Sequence, residues 1–226
     1  MSKPTDDVPL QLLRAEAERM SADMPTQPEA WKPSIWTLTA GDWPVVIKDV
    51  RQTTPLFRYT LGRMGLRREE RIYRRLDGMP FVPRYLGRLD KDAIMLERIE
   101  ARPIQEFSMT DIDATFFDDL GECVARLHDR GVVHMDLRHR SNLLVGEDHK
   151  PRIIDFEASL YVGQGFLARW LLVPLLAPVD RSAVTKYRIR YRQELTRREA
   201  RKHRWFGFLR KLWLFGRIWP LRRKGK

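Results

Sequence analysis

Three oxygen-bearing side chains crowd one short stretch of this 226-residue sequence. Asp136, Asn142 and Asp155 fall within residues 131–157, GVVHMDLRHRSNLLVGEDHKPRIIDFE. Residues 143–145 and 152–155 read as two strands joined by a turn over 146–151, which puts Asn142 and Asp155 at the two ends of one hairpin. A carboxylate and an amide oxygen form the hard donor set that magnesium accepts. Asp136, six residues before Asn142, is suited to accept the hydrogen bond of an acceptor hydroxyl. Together they suit transfer of a phosphoryl group from ATP, which asks a protein for positioning and charge more than for covalent chemistry. Ordinary loop polarity accounts for His-x-Asp alone, but poorly for the whole string with Ile-Ile-Asp-Phe downstream.

Such a set needs a scaffold on its N-terminal side. Residues 35–50 read as a hairpin, IWTLT and PVVIKDV around a Gly41-Asp42 turn, with Lys48 near the end of its second strand. Residues 55–65 read as a loop and 66–76 as a helix. On that helix Glu69, Ile72, Tyr73 and Leu76 recur at i, i+3, i+4 and i+7, whereas Glu70 sits with Arg67 and Arg74 on a charged face. Glu69 therefore points inward and is the expected partner of Lys48; Glu70 is expected in solvent. Two further strands are expected over 84–89 and 93–98, separated by the charged turn Asp90-Lys91-Asp92. A longer helix is expected over 110–130, capped by Thr110 with Asp113 three residues on and ended by Gly131. Beyond the second hairpin the chain reads as helical. Strands first and helices after give an α+β chain, a small sheet followed by a helical part.

The string His134, Asp136, Asn142 and Ile154-Asp155-Phe156 resembles the bacterial lipopolysaccharide (Kdo/heptose) kinases and the RIO-like atypical kinases, over about residues 35–160. The resemblance implies a two-lobed protein-kinase-like fold, with a sheet-based N-lobe and a helical C-lobe. It implies Asp136 as catalytic base, Asn142 and Asp155 as magnesium ligands, and Lys48 as a contact to the ATP phosphates. Met95-Leu96-Glu97-Arg98 resembles the hinge that meets adenine through its backbone, with Glu97 and Arg98 as the contacts. Leu143 or Leu144 is implied beneath the base, Leu144 being the choice. The sequence departs from protein kinases in three ways. Asp136 and Asn142 are six apart instead of five, no Gly-x-Gly-x-x-Gly loop is present, and Asp155-Phe156-Glu157 replaces Asp-Phe-Gly. No Ala-Pro-Glu follows, so the activation segment is abbreviated, which leans the acceptor away from a docked peptide and toward a small molecule, sugar or lipid.

The expected boundaries are a leader over 1–32 with a short amphipathic helix near 10–20, an N-lobe over 33–100, a C-lobe over 101–200, and a tail over 201–226. Cys123 stands alone in a helical pattern, so no disulfide is expected within the chain, and the five histidines show no zinc spacing. The start lacks the pattern of a signal peptide, and the most apolar stretch, 166–179, is broken by Arg169 and Pro174. The net charge of +12 is uneven: residues 181–226 hold 17 Lys and Arg against 2 acids, a net of +15, and the rest nets −3. In the tail Trp205, Phe208, Leu209, Leu212, Phe215 and Trp219 share one helical face, with Arg210, Lys211 and Arg217 on the other. That pattern favours an anionic inner-membrane surface, ahead of packing on the body or of binding RNA. The expectation is a cytoplasmic, membrane-peripheral enzyme using ATP and Mg2+ on a sugar hydroxyl of a lipopolysaccharide core precursor. Its rivals are a RIO-like protein Ser/Thr kinase and a nucleotide-binding pseudokinase adaptor.

Overall fold

The structure is a computed structural model that describes residues 10–22, 32–40, 43–108, 110–163, 165, 170 and 173–192. The Gly41-Asp42 turn and the tail over 201–226 lie outside the described residues. The chain divides into two compact units, Met1–Glu100 with Arg152–Glu157, and Ala101–Pro151 with Ala158–Lys226.

The first unit is built on an antiparallel sheet. It runs α1 (Leu10–Ala22), β1 (Ser34–Ala40), β2 (Trp43–Asp49), α2 (Pro55–Phe57), a π-helical turn (Arg58–Gly62), α3 (Arg63–Arg75), β3 (Tyr85–Arg88) and β4 (Ala93–Glu97). The strand order is β1-β2-β4-β3, so β2 is an inner strand. Alternation sorts its side chains: Val45 and Ile47 join Trp36, Leu38 and Met95 in one cluster. Leu13 and Ala17, four apart on α1, are fully buried in that same cluster, so this helix is part of the sheet's core. Ile94 belongs to a second cluster with Val50 and Leu66 of α3. Lys48 pairs in register with Ile94, and a lysine there is buried among neighbours instead of being solvated at an edge.

Residues 55–65 are helical, not a loop as Pro55 and the two glycines suggest. Pro55 occupies the first helical position, where its missing N–H costs nothing. Arg58 and Arg63, one turn apart, both pair with Asp92 in the β3–β4 turn, at 2.5 and 2.6 Å. Gly62 lets the turn close, since a Cβ there would lie 3.0 Å from the Phe57 carbonyl oxygen.

The second unit holds β5 (Ala101–Pro103), α4 (Ala114–Asp129), β6 (Val132–Val133), β7 (Leu143–Gly146), the start of β8 (Pro151–Ile153), β9 (Leu160–Tyr161) and α5 (Val173–Arg192). α4 begins later than Thr110, with Asp113 at its N-cap. The Thr110 hydroxyl instead bonds within a local turn, to Ser108 at 2.8 Å, the common fate of a threonine whose side chain competes with the helix for the backbone. Cys123 is a buried thiol outside any disulfide, on the apolar side of α4 beside Leu120, Val124 and Leu127. At Gly131 the chain takes φ 70, and an added Cβ would sit 2.1 Å from the Gly163 carbonyl oxygen, so only glycine serves there. Among the described residues, no helix is long and apolar enough to cross a membrane.

Candidate functional site

The ion cluster of the first unit grows from the inner strand. β2 delivers Lys48 to the side of the sheet that α3 covers, and the period of α3 turns Glu69 to the same side. Lys48 Nζ donates to Glu69 Oε1 and to Asp155 Oδ1, each at 2.7 Å. Lys48 is 5% exposed and Glu69 2%, so both charges have left water. Burial works against the Lys48 ammonium, but the carboxylates of Glu69 and Asp155 outweigh it and hold the amine above its ordinary range. Burial pushes the Glu69 carboxyl up, and the facing lysine offsets that only in part. Glu70 turns the other way but does not stand in solvent as expected: its side chain is 15% exposed, covered by its pairs to Arg88 at 2.6 Å and Arg74 at 3.1 Å. Those arginines hold its carboxyl below the usual range although its partial burial acts the other way.

Asp155 enters this cluster on a tightly held segment. Ile153 N–H donates to the Phe81 carbonyl at 2.8 Å, Phe156 meets Tyr73 of α3 edge-on at 5.2 Å, and Arg68 of α3 reaches the Glu157 carbonyl. Asp155 itself adopts φ 64, a left-handed conformation that aspartate tolerates better than most residues. The packing around it thus fixes where its carboxylate stands, and that carboxylate is more open than its partners, 37% exposed. The hinge candidates lie at the end of β4. Glu97 N–H donates to the Arg84 carbonyl at 2.9 Å and Arg98 N–H to the Pro44 carbonyl at 3.0 Å, so both donors are spent inside the unit. An adenine edge at these two residues would have to use their carbonyls.

The second unit holds the loop with Asp136 and Asn142. Asn142 Nδ2 donates to the Asp136 carbonyl at 3.1 Å and lies 3.4 Å from its Oδ2, while Ser141 donates to Asn142 Oδ1 at 3.1 Å. Asn142 is buried and Asp136 half-buried. Leu144 is buried in β7, opposite Pro103.

The sequence reading missed the residue that anchors this loop. Asp180 of α5 is fully buried; its Oδ2 accepts the His134 N–H at 2.7 Å and its Oδ1 the Met135 N–H at 2.9 Å. His128 of α4 meets the same Oδ2 at 3.0 Å. Tyr187, two turns further along α5, donates to the Leu137 carbonyl at 3.1 Å. The loop around Asp136 is therefore pinned from both ends by one helix. The signal was available: Asp180 is the single acid directly after the most apolar stretch of the chain.

No protein-family model and no curated protein matches the sequence. Solved structures do. The Rio2 kinase from Chaetomium thermophilum aligns with a TM-score of 0.59 and 17% identity, over 83% of this chain and 64% of that one. The complex of the Rio2 kinase with ADP/Mg2+ and phosphoaspartate from the same organism aligns with a TM-score of 0.58 and 17% identity, over 87% and 67%. This chain therefore spans about two-thirds of the length of those structures. At that similarity the fold is what they share: the chain has a protein-kinase-like α+β fold.

Proposed function

We propose that the protein is an ATP- and magnesium-dependent phosphotransferase. The observation that carries this reading is the buried lysine held between two carboxylates, Glu69 and Asp155, on a kinase-like scaffold. Two charges out of water with a third half-open beside them are a poor way to stabilise a fold, because desolvation consumes most of the attraction. They make sense as a poised site. Two of the three Lys48 N–H donors have carboxylate partners, which leaves one for a phosphate oxygen. The half-open Asp155 carboxylate is a suitable magnesium ligand within the first unit, and the motif string implies Asn142 as the amide ligand. Among the described residues no group of three or more His, Cys, Asp or Glu side chains could hold a metal ion. That suits magnesium, which is usually held by one or two carboxylates together with the phosphates. Bound Mg2+ would neutralise charge on the phosphates. Asp136 would orient the acceptor hydroxyl and take its proton. The protein complexed with ADP and Mg2+ in the aligned structure supports this choice of nucleotide and metal.

For the acceptor we favour a sugar hydroxyl of a lipopolysaccharide core precursor, on the resemblance of the motif string and the short span between Glu157 and α5. The similarity to Rio2 kinases favours a second reading, a protein Ser/Thr acceptor. The basic aromatic tail is assigned to an anionic inner-membrane surface, which would keep the enzyme at the cytoplasmic face. The test of the reaction and its acceptor is mass spectrometry of lipopolysaccharide core and of the phosphoproteome from a strain lacking the protein, complemented with wild type or Asp136→Asn. Loss of one core phosphate, restored only by wild type, supports the sugar reading. Loss confined to a phosphoprotein would replace it with the protein-kinase reading.

A further inference from the structure

We infer that the helical arm from Pro55 to Arg75 is a docking surface for an anionic phospholipid bilayer, separate from the C-terminal tail and independent of the assigned reaction. Four apolar side chains stand out of the arm within nine residues: Leu56, Tyr59, Leu61 and Met64 are each more than half exposed. They account for almost half of the large exposed apolar side chains among the described residues. Directly after them the outward face turns cationic. Met64, Arg67, Arg71 and Arg74 recur at i, i+3, i+7 and i+10, all exposed, with Arg75 beside them. The inward face carries Leu66, Glu69, Ile72 and Tyr73.

Charge decides which surface fits. Residues 55–75 contain seven arginines and two acids. Both acids are spent: Glu69 is buried against Lys48, and Glu70 is paired with Arg88 and Arg74. Arg58 and Arg63 are likewise committed, to Asp92 and across the Tyr59 ring at 5.5 and 4.5 Å. What faces outward is therefore a fixed apolar tip followed by Arg67 and Arg71. RNA would meet the arginines but gain nothing from Leu56, Leu61 and Met64, and a protein would need an apolar patch and an acidic patch at matching spacing to use both. A bilayer interface takes both, since acyl chains accept the aliphatic groups, the headgroup layer accepts tyrosine, and lipid phosphates accept arginine. The ion pairs to Asp92 hold the tip rigid, so little order is lost on docking. The docking face lies opposite Glu69, so a surface can be engaged without disturbing the Lys48 cluster.

The experiment uses the full chain, so the tail is present throughout. Wild type should co-sediment with vesicles of phosphatidylglycerol and phosphatidylcholine. Each arginine near an anionic surface is worth about fivefold in partitioning, so Arg67→Gln with Arg71→Gln should weaken binding roughly 25-fold. Arg67→Lys with Arg71→Lys should restore it. Local insertion is read separately with Met64→Cys carrying an environment-sensitive thiol dye; the one native cysteine, Cys123, is buried. The dye should shift to the blue with anionic vesicles and stay unshifted with pure phosphatidylcholine. Unchanged partitioning of the glutamine variant, or no shift at Met64→Cys while the protein sediments, would assign vesicle binding to the tail alone and overturn the proposal. So would variants that lose binding to homopolymeric RNA and keep their binding to vesicles. None of these readouts depends on kinase activity.

Discussion

Asp180 Oδ1 accepts the backbone N–H of Met135 at 2.9 Å, and Met135 is held at φ 68, a conformation unusual for an unbranched side chain. Left-handed backbone at a non-glycine residue costs on the order of 1–3 kcal/mol, so something must hold it there. The fully buried Asp180 carboxylate, bonded also to His134 and His128, supplies that hold. Asp180→Ala leaves two buried N–H groups without their acceptor and is expected to destabilise the protein by about 2–5 kcal/mol. Asp180→Asn keeps one acceptor oxygen and is expected to cost roughly half as much. Chemical denaturation of both variants checks the ranking; equal, near-zero effects would remove the anchoring role.

The split between neighbouring glutamates gives the second prediction. Glu69→Gln removes one of the two carboxylates on the Lys48 ammonium and should lower phosphotransfer roughly 10- to 100-fold, about 1.4 to 2.7 kcal/mol in the barrier. Glu70→Gln touches only a pair that solvent reaches and should change activity less than about threefold. Steady-state kinetics on the identified acceptor, with melting curves as a control for folding, separates the two.

Acid stability should report the arm's root. Burial opposes ionisation of Asp92, but the Arg63 and Arg58 guanidiniums outweigh it and hold its carboxyl at about 2. A carboxyl lowered in the folded state stabilises the fold above its unfolded range near 4, and that contribution is lost as pH falls through about 2. Asp92→Asn should therefore be less stable than wild type at pH 6, with the gap closing between about pH 4 and pH 2. A gap of constant size across that range would contradict the assignment.

How much of this was readable beforehand depended on whether the signal was local. The inward face of residues 66–76 was legible because helical period alone separates Glu69 from Glu70. The hairpin positions of Lys48, Asn142 and Asp155 were legible because turn residues bound short apolar runs. Residues 55–65 misled because Pro55, Gly62 and Gly65 read as loop punctuation, whereas the helix there depends on Asp92, nearly thirty residues away. Thr110 misled for a related reason: a capping pattern says a helix can start, not that the chain beyond will bury a face. The place of Asp180 after the most apolar stretch marked it as unusual, but its three partners lie 45 to 52 residues away, so what it anchors was not legible. The strained backbone at Met135 and Asp155 had no glycine to announce it.

The central claim is that the Lys48 cluster binds Mg-ATP, and isothermal calorimetry tests it without knowledge of the acceptor. The full chain should bind ATP in the presence of Mg2+ and lose most of that affinity when EDTA replaces the metal. Asp155→Asn should weaken the magnesium-dependent part at least tenfold, and Lys48→Met should weaken binding in both conditions. A wild-type chain that binds no ATP with Mg2+ present, or binds it equally well with Asp155→Asn in either condition, would contradict the account.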